Sequence, residues 1–158
     1  VPVDYVGINE KAATRVDAFT FEGIAAAHNE VERDEEGRCR FLGFCVTFGE
    51  FRVYHSGDTL WHEDLVGQLN AGAPDLALLP INGNKPERRV AGNLNGSEAA
   101  ALGRAIGAGV VVPCHYHMFT FNTEEPDEFI FSCERIGQAH KVMKGGERLT
   151  IHLRESGS

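Results

Sequence analysis

A chain of 158 residues with 42% hydrophobic and 24% charged side chains has room for one domain, or one large part of a domain, with a sizeable core. A formal net charge of −8 with no Lys/Arg-rich run argues against nucleic acid or an acidic membrane as partner, and leaves a small-molecule substrate open. No apolar stretch approaches the roughly 20 residues that span a bilayer, no signal-peptide pattern is visible, and four cysteines without a CxxC pair read as free thiols of a cytoplasmic protein.

Residues 1–14 lack periodicity and are expected to form an irregular lead-in. Val16 to Phe21 begins a strand that is expected to turn at Glu22-Gly23. Ile24 to Ala27 then reads as a buried strand ending at His28, although three alanines also suit a helix. The charged run of residues 30–40 is expected to be a solvated hairpin loop with Gly37 at its turn. Residues 41–48 and 51–54, joined by Gly49-Glu50, predict a β-hairpin.

Trp61, Leu65, Val66 and Leu69 fall at helical spacing and predict a first helix over about 59–71. The apolar run Leu76-Ala77-Leu78-Leu79-Pro80-Ile81 predicts a parallel strand buried on both faces. A long Asn- and Gly-rich loop follows to Gly96. Asn95 with Glu98 makes a capping box for a second helix whose core face is Ala99, Leu102 and Ile106. Val110-Val111-Val112 is another buried strand. Thr123 is expected to cap a third helix, with Phe129, Ile130, Cys133 and Ile136 on one face, and residues 149–153 alternate like a last edge strand. The tail of residues 154–158 is expected to fray.

Three side chains that can bind metal each closely follow a predicted strand: His28, Asp58 and His115. Imidazole and carboxylate are ordinary ligands of Zn²⁺, Mn²⁺ or Fe. Each also has a plainer reading. Asp58, after a turn at Gly57, suits a helix cap; a single histidine beside alanines suits a structural role; and the His115-Tyr116-His117 spacing alone is a weak signal.

Four motifs bear on the choice. Ala26-Ala27-His28-Asn29, His55-Ser56-Gly57-Asp58-Thr59, Asp75-Leu76-Ala77-Leu78-Leu79-Pro80-Ile81-Asn82-Gly83 and Val111-Val112-Pro113-Cys114-His115-Tyr116 occur in that order. Together they resemble the C-terminal half of the metallo-β-lactamase superfamily over about residues 15–153, most of all the branch similar to L-ascorbate-6-phosphate lactonase and related metal-dependent hydrolases. The resemblance implies an α/β fold, half of an αββα sandwich, with helices on one face of a mixed sheet. It implies that His28 completes a first metal site, that Asp58 bridges two metals and that His115 completes the second. His117 falls where such proteins vary and is not counted as a ligand. Asn93, in the loop after residue 82, is expected to touch substrate.

The implied cofactor is a divalent metal, Zn²⁺ or Mn²⁺, and the implied reaction is hydrolysis of a lactone, an ester or a sugar-phosphate-like substrate. Two metals about 3.5–4 Å apart can acidify a shared water from a pKa of about 16 towards roughly 7, and a carboxylate can bridge them where one imidazole nitrogen cannot. The sequence departs from the family in one respect: the HxHxDH motif expected upstream of His28 is absent. The chain is therefore expected to be an inactive or complementing fragment. Half a sandwich would expose an apolar sheet face, so a homo-oligomer or a complementing N-terminal half is the expected partner. The rival reading is a non-catalytic interaction domain that retains the fold. A nuclease is disfavoured by the acidic balance.

Overall fold

The computed structural model describes residues 5–152. Six strands form a single sheet in sequential order: β1 (Ala13–Val16), β2 (Phe19–Ala25), β3 (Leu42–Phe48), β4 (Phe51–His55), β5 (Leu76–Pro80) and β6 (Val110–Cys114). Strands β1 to β4 pair antiparallel, whereas β4, β5 and β6 are parallel. The helices are α1 (Leu65–Gln68), α2 (Gly96–Ala105) and α3 (Asp127–Ile136). No helix among the described residues is long and apolar enough to cross a membrane.

The two sheet faces differ along register-matched rows. Cys45, Tyr54, Ala77 and Val111 lie opposite one another in turn, and all are fully buried in the main core. Ala99, Leu102, Phe129 and Cys133 from α2 and α3 complete that core. One position away, Phe21, Val46, Val53, Leu76 and Val110 form the neighbouring row, which the period of two turns to the opposite face. Each is only half-buried. At its edge, Phe19, Phe48 and Phe51 stack in a line with ring centroids 5.4 Å apart at each step. A groove of about 490 Å³ separates Phe48, Phe51 and Leu76 from residues 149–151. The second face is thus apolar and incompletely covered, as expected of half a sandwich.

Several local expectations hold. The hairpin of β3 and β4 forms, Asn95 and Glu98 make the full capping box, and Phe129 and Cys133 are buried from α3. Others are corrected. The first turn falls at Asp17-Ala18, so β2 runs unbroken through Glu22-Gly23; Gly23 is tolerated because the carbonyl oxygen of Asn9 occupies the space its Cβ would need. The lead-in is not wholly irregular, since β1 begins at Ala13.

The helix expected over 59–71 shrinks to the single turn α1, Gly67 included; the Thr59 carbonyl, which a longer helix would turn to the N–H of residue 63, accepts from Leu94 N–H instead. Thr123 does not cap α3, whose first turn follows Pro126; its hydroxyl accepts from the His117 N–H instead. Residues 149–152 form no strand, and Leu153 and the tail of residues 154–158 lie outside the described residues. The sheet edge beyond β6 is met by a one-residue parallel bridge between Val111 and His140, too short to leave an alternating pattern.

Burial and capping predict unequal costs. Leu79→Ala, a fully buried core change, is expected to lower stability by about 2–5 kcal/mol. Asn95→Ala is expected to cost about 1 kcal/mol. Urea unfolding of both variants checks this; equal losses would contradict the core described above.

Candidate metal centre

Because β3 runs against both β2 and β4, the carboxyl ends of β2, β4, β5 and β6 all meet one rim of the sheet. His28 follows β2, Asp58 follows β4 and His115 directly follows β6. Adjacent strands lie about 4.8 Å apart, so β4 stands roughly 10 Å from both β2 and β6. Bringing their ends together requires the chain to cross β3 on one side and span β5 on the other.

Two glycines permit the first crossing. Gly57 adopts φ +63°, and a Cβ there would sit 2.9 Å from the Leu42 carbonyl oxygen at the start of β3. A Cβ on Gly43 would sit 2.6 Å from the Ser56 carbonyl oxygen. The crossed segment is then tied to β2. Leu60 N–H donates to Ala27 C=O at 2.8 Å, and Ala27 N–H donates to the buried Thr59 hydroxyl at 2.9 Å. On the other side, Ile81 N–H donates to Cys114 C=O at 3.1 Å, and Ser56 N–H to Leu78 C=O at 3.2 Å. Leu94 N–H reaches Thr59 C=O at 2.9 Å. Thr59 therefore ties the crossed segment both to the end of β2 and to the loop before α2.

The result is a carboxylate between two imidazoles. His28 Nε2 lies 3.9 Å and His115 Nε2 lies 3.7 Å from the same Asp58 oxygen, Oδ2. The Asp58 side chain is 46% exposed, and that of His115 only 15%. Phe41 meets the His28 ring edge-on at 4.9 Å between centroids, and Phe119 stands 6.0 Å from the His115 ring. All three positions adjoin a left-handed residue: Asn29 after His28, Gly57 before Asp58, and His115 itself at φ +58°. Such backbone in a non-glycine residue persists only where its surroundings enforce it.

Two imidazoles and a carboxylate are donor types that a divalent metal takes. Two ligands on one tetrahedral ion, each about 2.0–2.2 Å from it, are separated by roughly 3.3–3.6 Å. The observed separations exceed that by a few tenths of an ångström. Among the described residues no group of three or more His, Cys, Asp and Glu side chains stands close enough together to hold a metal ion. The geometry is that of donors gathered around one carboxylate oxygen but not drawn in. His115 Nδ1 is buried without a hydrogen-bond partner among the described residues, whereas a ligating histidine ordinarily donates from its second nitrogen. Cys114 adjoins His115 and is a free thiol. Burial, with Asp58's charge adding to it, pushes its thiol up to about 12.

The remaining residues singled out from the sequence are placed elsewhere. Asp58 caps no helix, since α1 begins after Asp64. His117 is exposed and pairs with Glu125 at 2.9 Å. His55 Nδ1 accepts from Gly57 N–H, and His62 Nε2 pairs with the Ala25 carbonyl, both local structural contacts. Asn93 is 1% exposed, and its amide donates to Asn82 Oδ1 at 3.0 Å. It sits under the rim, in the packing of the loop. Sequence reading passed over Thr59, Gly43 and Arg88; a glycine inside a strand pattern was the available signal for a close backbone approach at Gly43. The four cysteines are free thiols, as expected.

Comparison with known proteins now bears on this rim. The family model described as the Beta-lactamase superfamily domain matches residues 1–116. The chain belongs to that superfamily. A UPF0173 metal-dependent hydrolase of Rubrobacter xylanophilus is 37% identical over 152 residues, covering 90% of this chain and 59% of the relative. A Bacillus cereus protein of the same description is 33% identical over 111 residues, or 69% of this chain and 44% of the relative. The chain thus spans about half the length of such relatives.

Among solved structures, Igni18, a metallo hydrolase from Ignicoccus hospitalis, superposes with a TM-score of 0.75 at 25% identity, covering 94% of this chain and 61% of that one. An isothiocyanate hydrolase from Delia radicum gut bacteria superposes at 0.70 with 18% identity, covering 89% and 57%, and supports the fold alone. The mixed six-stranded sheet is that of the metallo-β-lactamase fold, and the UPF0173 relatives are described as metal-dependent hydrolases.

The ties at Thr59 predict a specific loss. Thr59→Val leaves the buried Ala27 N–H unpaired and is expected to cost about 1–3 kcal/mol, while Thr59→Ser keeps most of the stability. Thermal unfolding of the pair checks this; equal behaviour of Val and Ser would contradict it.

Proposed function

We propose that this chain supplies His28, Asp58 and His115 to the divalent metal centre of a hydrolase acting on a lactone, ester or sugar-phosphate-like substrate. The observation that carries this reading is that both imidazole Nε2 atoms face one oxygen of Asp58. Zn²⁺ or Mn²⁺ bound there would lower the pKa of water and polarise a carbonyl or phosphoryl oxygen. The chain's own residues hold the donors in place. Asp58, the most exposed of the three, is the donor able to bridge. His115 is held by a left-handed turn, and His28 by its edge-on contact with Phe41. Phe119 walls the His115 side of the rim. Four free thiols agree with a reducing, cytoplasmic setting.

Two imidazoles and one carboxylate are too few donors for a dinuclear centre, so further ligands would come from another polypeptide segment. The half-covered apolar face, with Phe19 43% exposed, supports a partner there: a complementing N-terminal half or a second copy of the chain. The same face, together with the unclosed donor group, also favours a second reading. In that reading the domain keeps the fold for interaction and holds no metal. Nucleic acid is not the partner in either reading, given the net charge of −8.

Elemental analysis of the purified chain and of His115→Ala separates the two readings. The hydrolase reading expects metal to be retained by the first and reduced at least tenfold in the second; no metal in either supports the interaction domain. Lactonase and esterase assays of the chain alone with added Zn²⁺ or Mn²⁺ are expected to show little or no turnover, and robust turnover would overturn the need for a second segment. Light scattering at high concentration is expected to show self-association, and a monodisperse monomer would count against the second copy.

A further inference from the structure

We infer that Arg88 is a positioning residue for His115. Arg88 closes a 3₁₀ turn, Pro86–Arg88, inside the loop that follows β5. Its side chain is only 10% exposed. One guanidinium nitrogen, Nη1, donates to the Asn82 carbonyl and, at 3.3 Å, to Asn122 Oδ1. The other, Nη2, donates to the Thr123 carbonyl at 2.8 Å and to the Glu124 carboxylate. A single planar fork thus binds both the loop after β5 and the loop after β6. Lys85 also pairs with Glu124 at 2.5 Å, and Lys85, then Arg88, hold that carboxyl below the usual range against the opposing effect of burial.

The clamp lies in a buried amide chain. Asn93 donates to Asn82, and Asn82 donates to Asn122, each at 3.0 Å. From the clamped segment, the Thr123 hydroxyl accepts from His117 N–H at 2.7 Å, two residues beyond His115. Tyr116 O–H donates to the Met143 carbonyl. The loop is therefore pinned at residues 116–117 and again at 122–124. Between the pins, Met118, Phe119 and Phe121 are exposed and supply little packing to hold their own backbone. The left-handed turn at His115, and Phe119 beside its ring, depend on those pins. Lysine cannot replace arginine here: it keeps the charge facing Glu124, but its compact ammonium cannot reach acceptors on both loops in one plane.

The consequence for metal rests on reading His115 as a ligand, and the test separates the two claims. The ¹⁵N-labelled 158-residue chain is compared with Arg88→Lys and Arg88→Ala by backbone relaxation and by Zn²⁺ titration. In the unaltered chain, amides of residues 115–124 are expected near the order parameter of rigid backbone, about 0.85. In Arg88→Lys they are expected to fall below about 0.6 while α2 is unchanged, and the apparent Zn²⁺ dissociation constant is expected to rise about 10–100-fold. Added guanidinium is expected to restore part of both properties to Arg88→Ala, which a general loss of stability would not show.

Unchanged loop order in Arg88→Lys overturns the inference. Loss of order without loss of Zn²⁺ affinity overturns the positioning role. If the unaltered chain takes up no Zn²⁺, the ligand reading fails, and the relaxation data alone decide whether Arg88 pins the loop. Should Arg88→Ala not fold, Arg88→Lys carries the test.

Discussion

The site depends on a close backbone crossing. For Asp58 to meet His28, the chain leaving β4 must pass over the start of β3, and it does so with Gly57 against the Leu42 carbonyl and Gly43 against Ser56. Neither position has room for a Cβ, and Gly57 also needs a positive φ. Once the crossing is made, Leu60 and Thr59 bind the end of β2. A residue with a side chain at either glycine would keep the carboxylate and the imidazole on opposite sides of β3.

The same rim explains why the chemistry gathers where it does. Strand direction alone sends β2, β4, β5 and β6 to one edge, which is where α/β sheets place their ligands. The carboxylate comes from the central strand and the imidazoles from the strands two places away on either side. Rigid strands fix where the donors start. The connecting loops, clamped by Thr59 on one side and Arg88 on the other, fix where the side chains end. The protein invests its buried polar groups in those clamps: Asn82, Asn93 and Thr59 are among its few fully buried polar residues. Among the described residues nothing comparable supports the second sheet face, where the phenylalanine line and the Phe21-to-Val110 row stand half in water.

Much of this was legible in the sequence, and for definite reasons. Parallel strands with apolar residues on both faces leave unbroken apolar runs, so β5 and β6 were readable although Leu76 and Val110 are only half-buried, and Asn95 with Glu98 marked the start of α2. His28, Asp58 and His115 were selected because each follows a strand, and the structure brings those three together. What failed did so where tertiary contacts overrode local pattern. Helical spacing after Asp58 did not survive the pairing of the Thr59 carbonyl with Leu94 N–H. Thr123 looked like a cap but is spent on His117, and the alternation at 149–152 carries residues that lie over the apolar face without pairing. No local signal announces Arg88, because all of its partners are supplied by distant segments or by carbonyls that every residue possesses.

The central claim is that three donors remote in sequence bind one metal centre, with Asp58 between the two imidazoles. Crystals grown with Zn²⁺ and measured at the zinc edge test it most directly through the anomalous difference map. Zinc within about 2.0–2.2 Å of His28 Nε2 and of His115 Nε2, with Asp58 a ligand at each position, is the predicted result. A peak held by other side chains, with these three left as they stand, would contradict it.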